Sequence, residues 1–476
     1  MFGYVSARSQ GGRPMTHADE FSSTEPFHAD GHTRELAQQQ AQTSGLAITA
    51  ESRMGFTVCG PPAAFEELTG GRVESYESLQ HVQSGRVRYV THLDIVGDGQ
   101  PEDLGVGIAP ADSIEAVVLE QPRSPNQLSP SAQPPTVAKY HLRLPGDVAM
   151  LLGATAAQRE GEVGAGVQVA MVDTGQYTHP YFTLQGYHID PVIAVIPGTN
   201  PSQDPVGHGT GESANIFAIA PGATLRPYRA SNAGGQLTSA MTGVLRAKAD
   251  HPQVISNSWG GDLDYPPADP LPHAYRTWVL EILDAVEQGI VVVFSAGNGQ
   301  FSVEPQIPGV IAAGGVFAGP ALDLQASNYA SGYASPWFDG VVVPTVCGLV
   351  GMQPRAQYLM LPIPPGCQID MDESQASDGQ LPDTGDGTRS DDGWALFSGT
   401  SAAAPQIAGA AAVLLGARPG LTPEQIVTAL TRTATDITVG HTHPRFNNPA
   451  TPGDDLATGA GLVNVGAALD HVRRMP

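Results

Sequence analysis

Lysine is almost missing from this chain. Of 23 basic residues only Lys139 and Lys248 are lysines, a bias that carries no functional reading and fits a GC-rich coding sequence. Basic charge of either kind is outnumbered by 47 acidic residues. The formal net charge of −24 disfavours nucleic acid and anionic membrane surfaces as partners. No apolar run approaches the roughly eighteen residues of a membrane span. Residues 11–42 are largely polar, without the apolar core of a secretory signal. The expectation is a cytoplasmic protein, with secretion by another route as the alternative. Cysteine is scarce too. Cys347 and Cys367 could pair across a loop, which would leave Cys59 over, and reduced, buried thiols are the simpler reading. Aromatics make up 6%, whereas 56 glycines and 41 prolines imply many loops between apolar elements. A chain of 476 residues can build a large core and more than one unit.

Composition divides the chain. Residues 1–45 hold few bulky apolar side chains and include Gln38-Gln39-Gln40, which predicts disorder. Residues 46–120 contain strand-like runs at 55–58, 87–95 and 114–119, enough for a small α+β unit. Residues 121–140 read as a Pro- and Ser-rich linker. From residue 141 to 476, apolar runs at 167–172, 225–229, 254–257 and 290–295 alternate with helical patterns at 237–249 and 274–288. That alternation predicts an α/β fold, a mostly parallel sheet with helices on both faces. Functional residues would then gather at the carboxyl ends of its strands.

Three motifs carry chemistry. Asp173-Thr174-Gly175 closes a run that reads as a strand buried on both faces. His208-Gly209-Thr210 opens a segment of helical spacing. Gly399-Thr400-Ser401 precedes an Ala- and Leu-rich helix, so Ser401 would sit beside the N–H groups of a helix start. Taken singly, each is an ordinary strand exit, helix start or cap. Together, in that order, they form an Asp, His and Ser set.

These motifs resemble the subtilisin-like serine peptidases, and the likeness runs from about Gly146 to the end of the chain. Val293-Phe294-Ser295-Ala296-Gly297-Asn298 is similar to that family's strand ending in Ala-Gly-Asn, which implies Asn298 in an oxyanion hole. Residues 254–261 (Val-Ile-Ser-Asn-Ser-Trp-Gly-Gly) are similar to the strand that pairs with substrate backbone, which implies Ser258, Trp259 and Gly260 beside the specificity pocket. The resemblance implies the three-layer subtilisin-like fold and an endopeptidase acting on protein or peptide. A serine hydroxyl needs an adjacent base, so His208 would take the Ser401 proton while Asp173 fixes the imidazole tautomer. The sedolisins, with Glu, Asp and Ser and an Asp in place of the oxyanion Asn, are set aside by His208 and Asn298.

Two departures from the family pattern stand out. Gly211-Glu212-Ser213-Ala214 replaces His-Val-Ala-Gly, placing a carboxylate one turn from His208, either to raise the histidine's pKa or to face solvent. Ala402 stands where Met is usual. Many members bind calcium, but the acidic stretch 370–392 matches no defined calcium loop. A solvated insertion is the expectation there, a structural calcium the alternative, and no cofactor is required. His441 and His443 lack an evident third ligand. The amino-terminal unit has the length and position of a folded propeptide, with an accessory domain as the alternative. A processing peptidase for one precursor and a silent peptide-binding protein are the competing functions. Oligomeric state is not legible.

Overall fold

The computed structural model describes all residues except 20, 84–85, 98–104, 110, 126–139, 268–269, 355, 376–384, 389 and 476. Most of the expected linker therefore lies outside the described residues.

The amino-terminal unit runs β1 (Phe2–Ala7), α1 (Gly31–Thr43), β2 (Ala47–Glu51), β3 (Gly55–Cys59), α2 (Pro62–Thr69), a long hairpin of β4 (Arg72–Gln83) and β5 (Arg86–Val96), β6 (Val106–Gly107) and β7 (Ile114–Leu119). The strands β2-β3-β1-β7-β6 form one antiparallel sheet, with β1 at its centre. This corrects the expectation of disorder over residues 1–45. The partners of β1 lie some fifty and a hundred residues away, at 55–59 and 114–119, so local composition gave no sign of them. Helix α1 buries only Ala37 and Ala41, and an Asp30 side chain accepting from the Thr33 N–H starts it.

Period-two alternation gives this sheet two buried faces. Val5, Phe56, Val58 and Val117 pack under the helices with Ala37, Phe65 and Leu68. Tyr4, Ala50, Met54 and Val118 face the other way and join a core that belongs to the second unit.

A short strand, β8 (Ser124–Pro125), leads out of the first unit. The second unit is built on β9 (Gln168–Asp173), α3 (His208–Ile219), β10 (Thr224–Arg229), α4 (Ala240–Ala249), β11 (Val254–Asn257), β12 (Trp259–Gly260), α5 (His273–Glu287), β13 (Val291–Ser295), β14 (Ile311–Ala318), β15 (Val346–Leu349) and α6 (Thr400–Ala417). Strands β10-β9-β11-β13-β14-β15 are mutually parallel, and the strand at Leu324–Ala326 adds an antiparallel edge. Along β9, Val169 and Met171 pack with Ile216 of α3 and the alanines of α6. Ala170 and Val172 pack with Leu245 of α4 and Leu280 of α5. The result is the expected three-layer α/β fold. Helix α6 has the length and hydropathy to cross a membrane, a feature the sequence reading missed, but 89% of it is buried inside the protein.

Candidate active site

The chain order of the sheet reverses at β9, whose neighbours β10 and β11 lead to opposite edges. Such a switch point opens a crevice beyond the carboxyl ends of the strands. Asp173 ends β9, Ser258 follows β11, and Asn298 follows β13 closely. His208 and Ser401 begin α3 and α6, which pack against each other in the same core.

Asp173 Oδ1 accepts from His208 Nδ1 at 2.7 Å and from the Thr174 N–H at 2.7 Å. Both side chains are almost fully buried. His208 Nε2 is buried with no hydrogen-bond partner among the described residues. Gly209 makes this approach possible, because a Cβ there would strike the Gly175 carbonyl. A residue the sequence reading missed joins the two motifs. Asp204 accepts from Thr174 Oγ1 (2.8 Å) and the Gly207 N–H (3.0 Å) on one oxygen, and from the Thr210 N–H (2.9 Å) and Oγ1 (2.7 Å) on the other. An Asp just ahead of a helix start was the available signal.

Ser401 Oγ donates to the Ser258 carbonyl at 3.0 Å, and Ser258 Oγ donates to the Ser401 carbonyl at 2.9 Å. The second bond has a local cause. Pro405 lacks the N–H that would otherwise serve the carbonyl four residues earlier, and Ser258 takes that place. Asn298 Oδ1 accepts from the Thr400 N–H (2.9 Å) and Oγ1 (3.1 Å), which turns the amide round. Its Nδ2 is left buried and unpartnered among the described residues, the state of a donor held ready for an acceptor. Thr400, a second residue missed in the sequence, also accepts from the Gly297 N–H at 3.0 Å.

Glu212 is fully buried and does not face solvent. Its Oε2 accepts from Asn215 Nδ2 at 3.0 Å, and Asn215 Oδ1 accepts from Gln406 Nε2 of α6 at 3.1 Å. Burial pushes the Glu212 carboxyl up to about 8, although His208 works against the shift. Burial disfavours the imidazolium, but Asp173 beside it and the more distant Glu212 and Asp204 carboxylates outweigh that and raise His208 to about 9.

Trp259, expected beside the substrate pocket, turns its side chain into the core. Its indole is buried against Trp278 and Phe294, and Nε1 donates to the Val172 carbonyl at 2.7 Å. Gly260 packs closely on its neighbours, since a Cβ on it would meet Ser302 Oγ at 2.9 Å and Glu304 Oε2 at 3.5 Å. The edge of β12 is occupied by the chain itself. β8 pairs with it antiparallel, Pro125 opposite Trp259 and Ser124 opposite Gly260, and Arg123 bridges to Leu237 on the other side.

Cys347 and Cys367 do not form the bridge held as an alternative, and Cys59 is also free. Cys347 donates from within β15 to the Thr458 carbonyl, whereas Cys367 packs on Gly207 at the head of α3. Among the described residues no three or more His, Cys, Asp or Glu side chains converge as a metal site. Of the acidic stretch, Asp378 and Asp383 lie outside the described residues, while Asp370 and Asp386 accept backbone N–H bonds from Gly366 and Leu396. His441 Nδ1 bonds the Thr442 carbonyl, and His443 Nδ1 accepts from the Arg445 N–H.

Residues 164–461 match the model of the subtilase family. Fervidolysin from Fervidobacterium pennivorans is 30% identical over 67% of this chain and 42% of its own length. Subtilisin NAT from Bacillus subtilis subsp. natto is 27% identical over 66% of this chain and 68% of its own. The sequence match thus takes in less than half of fervidolysin's length. In fold, it is similar to the crystal structure of fervidolysin, a keratinolytic enzyme related to subtilisin, with a TM-score of 0.55 and 19% identity, covering 98% of this chain and 60% of that one. A lanthipeptide protease structure gives a TM-score of 0.51 at 22% identity, over 68% of this chain and 93% of that one. The switch point in the parallel sheet, the order of the three motifs and the match over residues 164–461 lead to one assignment: the chain belongs to the subtilase family of serine proteases.

Proposed function

We propose that this protein is a serine endopeptidase that hydrolyses peptide bonds through an acyl-enzyme on Ser401. The observation that carries the reading is the buried 2.7 Å contact between Asp173 and His208, with Nε2 on the far side of the ring left open. Asp173 holds Nδ1 protonated, so Nε2 is the basic nitrogen. Ser401 Oγ has to turn from the Ser258 carbonyl toward Nε2, lose its proton there and attack the substrate carbonyl. The oxyanion so formed is received by Asn298 Nδ2 and the Ser401 N–H. The imidazolium then protonates the leaving amine, and water repeats the sequence to free the acid. No metal or cofactor is needed for any of these steps. Substrate backbone lies along Ser258 to Gly260. The three free thiols fit a cytoplasmic setting.

The amino-terminal unit fits a propeptide-like role, because its exit strand β8 lies on β12, the strand that substrate backbone would use. A parallel sheet folds slowly for want of local contacts, which gives an attached template a use. In this reading the wild type shortens by cleavage C-terminal to Pro125, within residues 126–139, whereas Ser401→Ala stays full length. A wild type that remains uncut and fully active would make the unit an accessory domain. For the peptidase itself, hydrolysis of peptide substrates should vanish in Ser401→Ala. Undiminished hydrolysis in that variant removes the assignment.

A further inference from the structure

Arg123 is seated in a place built for it. Its side chain is 1% exposed, and its Nε lies 2.9 Å from Glu304 Oε1, whose own side chain is fully buried. The contact is an ion pair, and neither Glu304 oxygen has a hydrogen-bond partner among the described residues. The guanidinium carbon sits 4.5 Å from the Trp278 ring centroid and 5.5 Å from that of Tyr275. Among the described residues Arg123 is the one cation paired with Glu304. A carboxylate at this depth is costly to leave without a charge partner. Any ligand that displaces β8 from β12 therefore meets a strong demand for a cation at this point.

The register says where that cation lies in a bound peptide. β8 runs antiparallel to β12, and Ser401 Oγ is held by the carbonyl of Ser258, the residue before Trp259. Moving from Arg123 to Pro125 is thus moving toward the nucleophile, so Arg123 stands on the acyl side of the bond to be cut. With Pro125 opposite Trp259, a peptide that keeps this register places its acyl residue opposite Ser258 and its basic residue three positions earlier.

We propose that Glu304, Trp278 and Tyr275 form a specificity subsite for a basic side chain three residues before the acyl residue, arginine above lysine, which Arg123 of the chain itself fills. The inference rests on the peptidase reading. Arginine is favoured because its planar guanidinium lies over aromatic faces while facing a carboxylate, which a lysine ammonium matches less well. Gly260 keeps the entrance open, since a side chain there would lie against Ser302 and Glu304. Acidic residues are excluded by Glu304. A protein with such a subsite selects its cutting sites, which favours processing of particular precursors over general digestion.

The test is digestion of a proteome-derived peptide library by the full-length wild type and by full-length Arg123→Ala, with cut sites read by mass spectrometry. Arginine should be enriched three residues before the acyl residue. A peptide with Arg there should be cut about thirtyfold more efficiently than its Ala counterpart, the low end of what truncating a buried charge pair costs. Glu304→Gln should erase that ratio by slowing the Arg peptide selectively. If Glu304→Gln does not fold, the wild-type enrichment decides alone. Cutting with no basic preference at that position overturns the subsite and leaves the peptidase reading standing. No cutting, in a chain that fluorophosphonate also fails to label, overturns both.

Discussion

Tyr4→Phe should loosen the amino-terminal unit from the catalytic unit. Glu281 of α5 is fully buried where the two meet. Its Oε1 accepts from the Tyr4 hydroxyl and from Ser52 Oγ (2.6 Å), both in the amino-terminal unit. Its Oε2 pairs with Lys248 of α4, which also donates to Asp284 at 2.9 Å. Phenylalanine keeps the ring and its packing, so the loss is one hydrogen bond to a charged group, about 1.5–3 kcal/mol. Lys248 and Ser52 still serve the carboxylate, which keeps the effect in that range. Glu281→Leu should cost more, about 3–5 kcal/mol, because it breaks a buried ion pair, leaving Lys248 with Asp284 alone and the Tyr4 and Ser52 hydroxyls without this acceptor. The assay is urea unfolding of the full-length chain in a Ser401→Ala background, where self-cleavage cannot intervene. In an otherwise wild-type chain, Tyr4→Phe should also hasten N-terminal release. A Tyr4→Phe midpoint that matches the parent, with a cost under about 0.5 kcal/mol, would refute the view that this network holds the units together.

Glu212→Gln should move the acidic limb of the kcat/KM–pH profile to lower pH. His208 must lose its proton to act as base, and the Glu212 carboxylate is among the groups that raise it to about 9; an unmoved limb contradicts this. Both groups bind protons more tightly folded than unfolded, His208 at about 9 against an ordinary 6.5 and Glu212 at about 8 against 4.5. The associated stability is complete below pH 4.5 and is lost as pH climbs through 8 and 9, so the glutamine variant should lose less stability over that rise in a thermal melt series. Asp204→Ala removes the acceptor of four hydrogen bonds inside the Asp173–His208 region and should cost about 3 kcal/mol in urea unfolding. Asn298→Ala should lower kcat with little change in KM. In this family the loss of such an Asn lowers turnover by roughly 10²–10³.

The catalytic unit was largely legible because its signals are local. The run closed by Asp173 is apolar on both faces, as a strand between two helical layers must be, and a histidine or serine at a helix start advertises itself within a few residues. Asp204 offered only its place ahead of a helix start, and Thr400 no signal, since their work is to hold other site residues by hydrogen bonds that composition does not reveal. β1 was missed because a strand of six residues gains its partners from segments at 55–59 and 114–119, and only the assembled sheet shows that Tyr4 faces Glu281. Trp259 was misplaced because an aromatic beside a cleft and an aromatic in the core read alike in sequence. The Arg123–Glu304 pair joins residues 181 positions apart, and neither lies in a motif.

The most direct test of Ser401 as an activated nucleophile is the position of a covalent adduct. Wild-type protein treated with a fluorophosphonate should gain a single phosphonyl group, located by peptide mass spectrometry on Ser401. Labelling should disappear in Ser401→Ala and slow severely in His208→Ala. An adduct on another residue, or labelling of Ser401→Ala at the wild-type rate, would contradict the account.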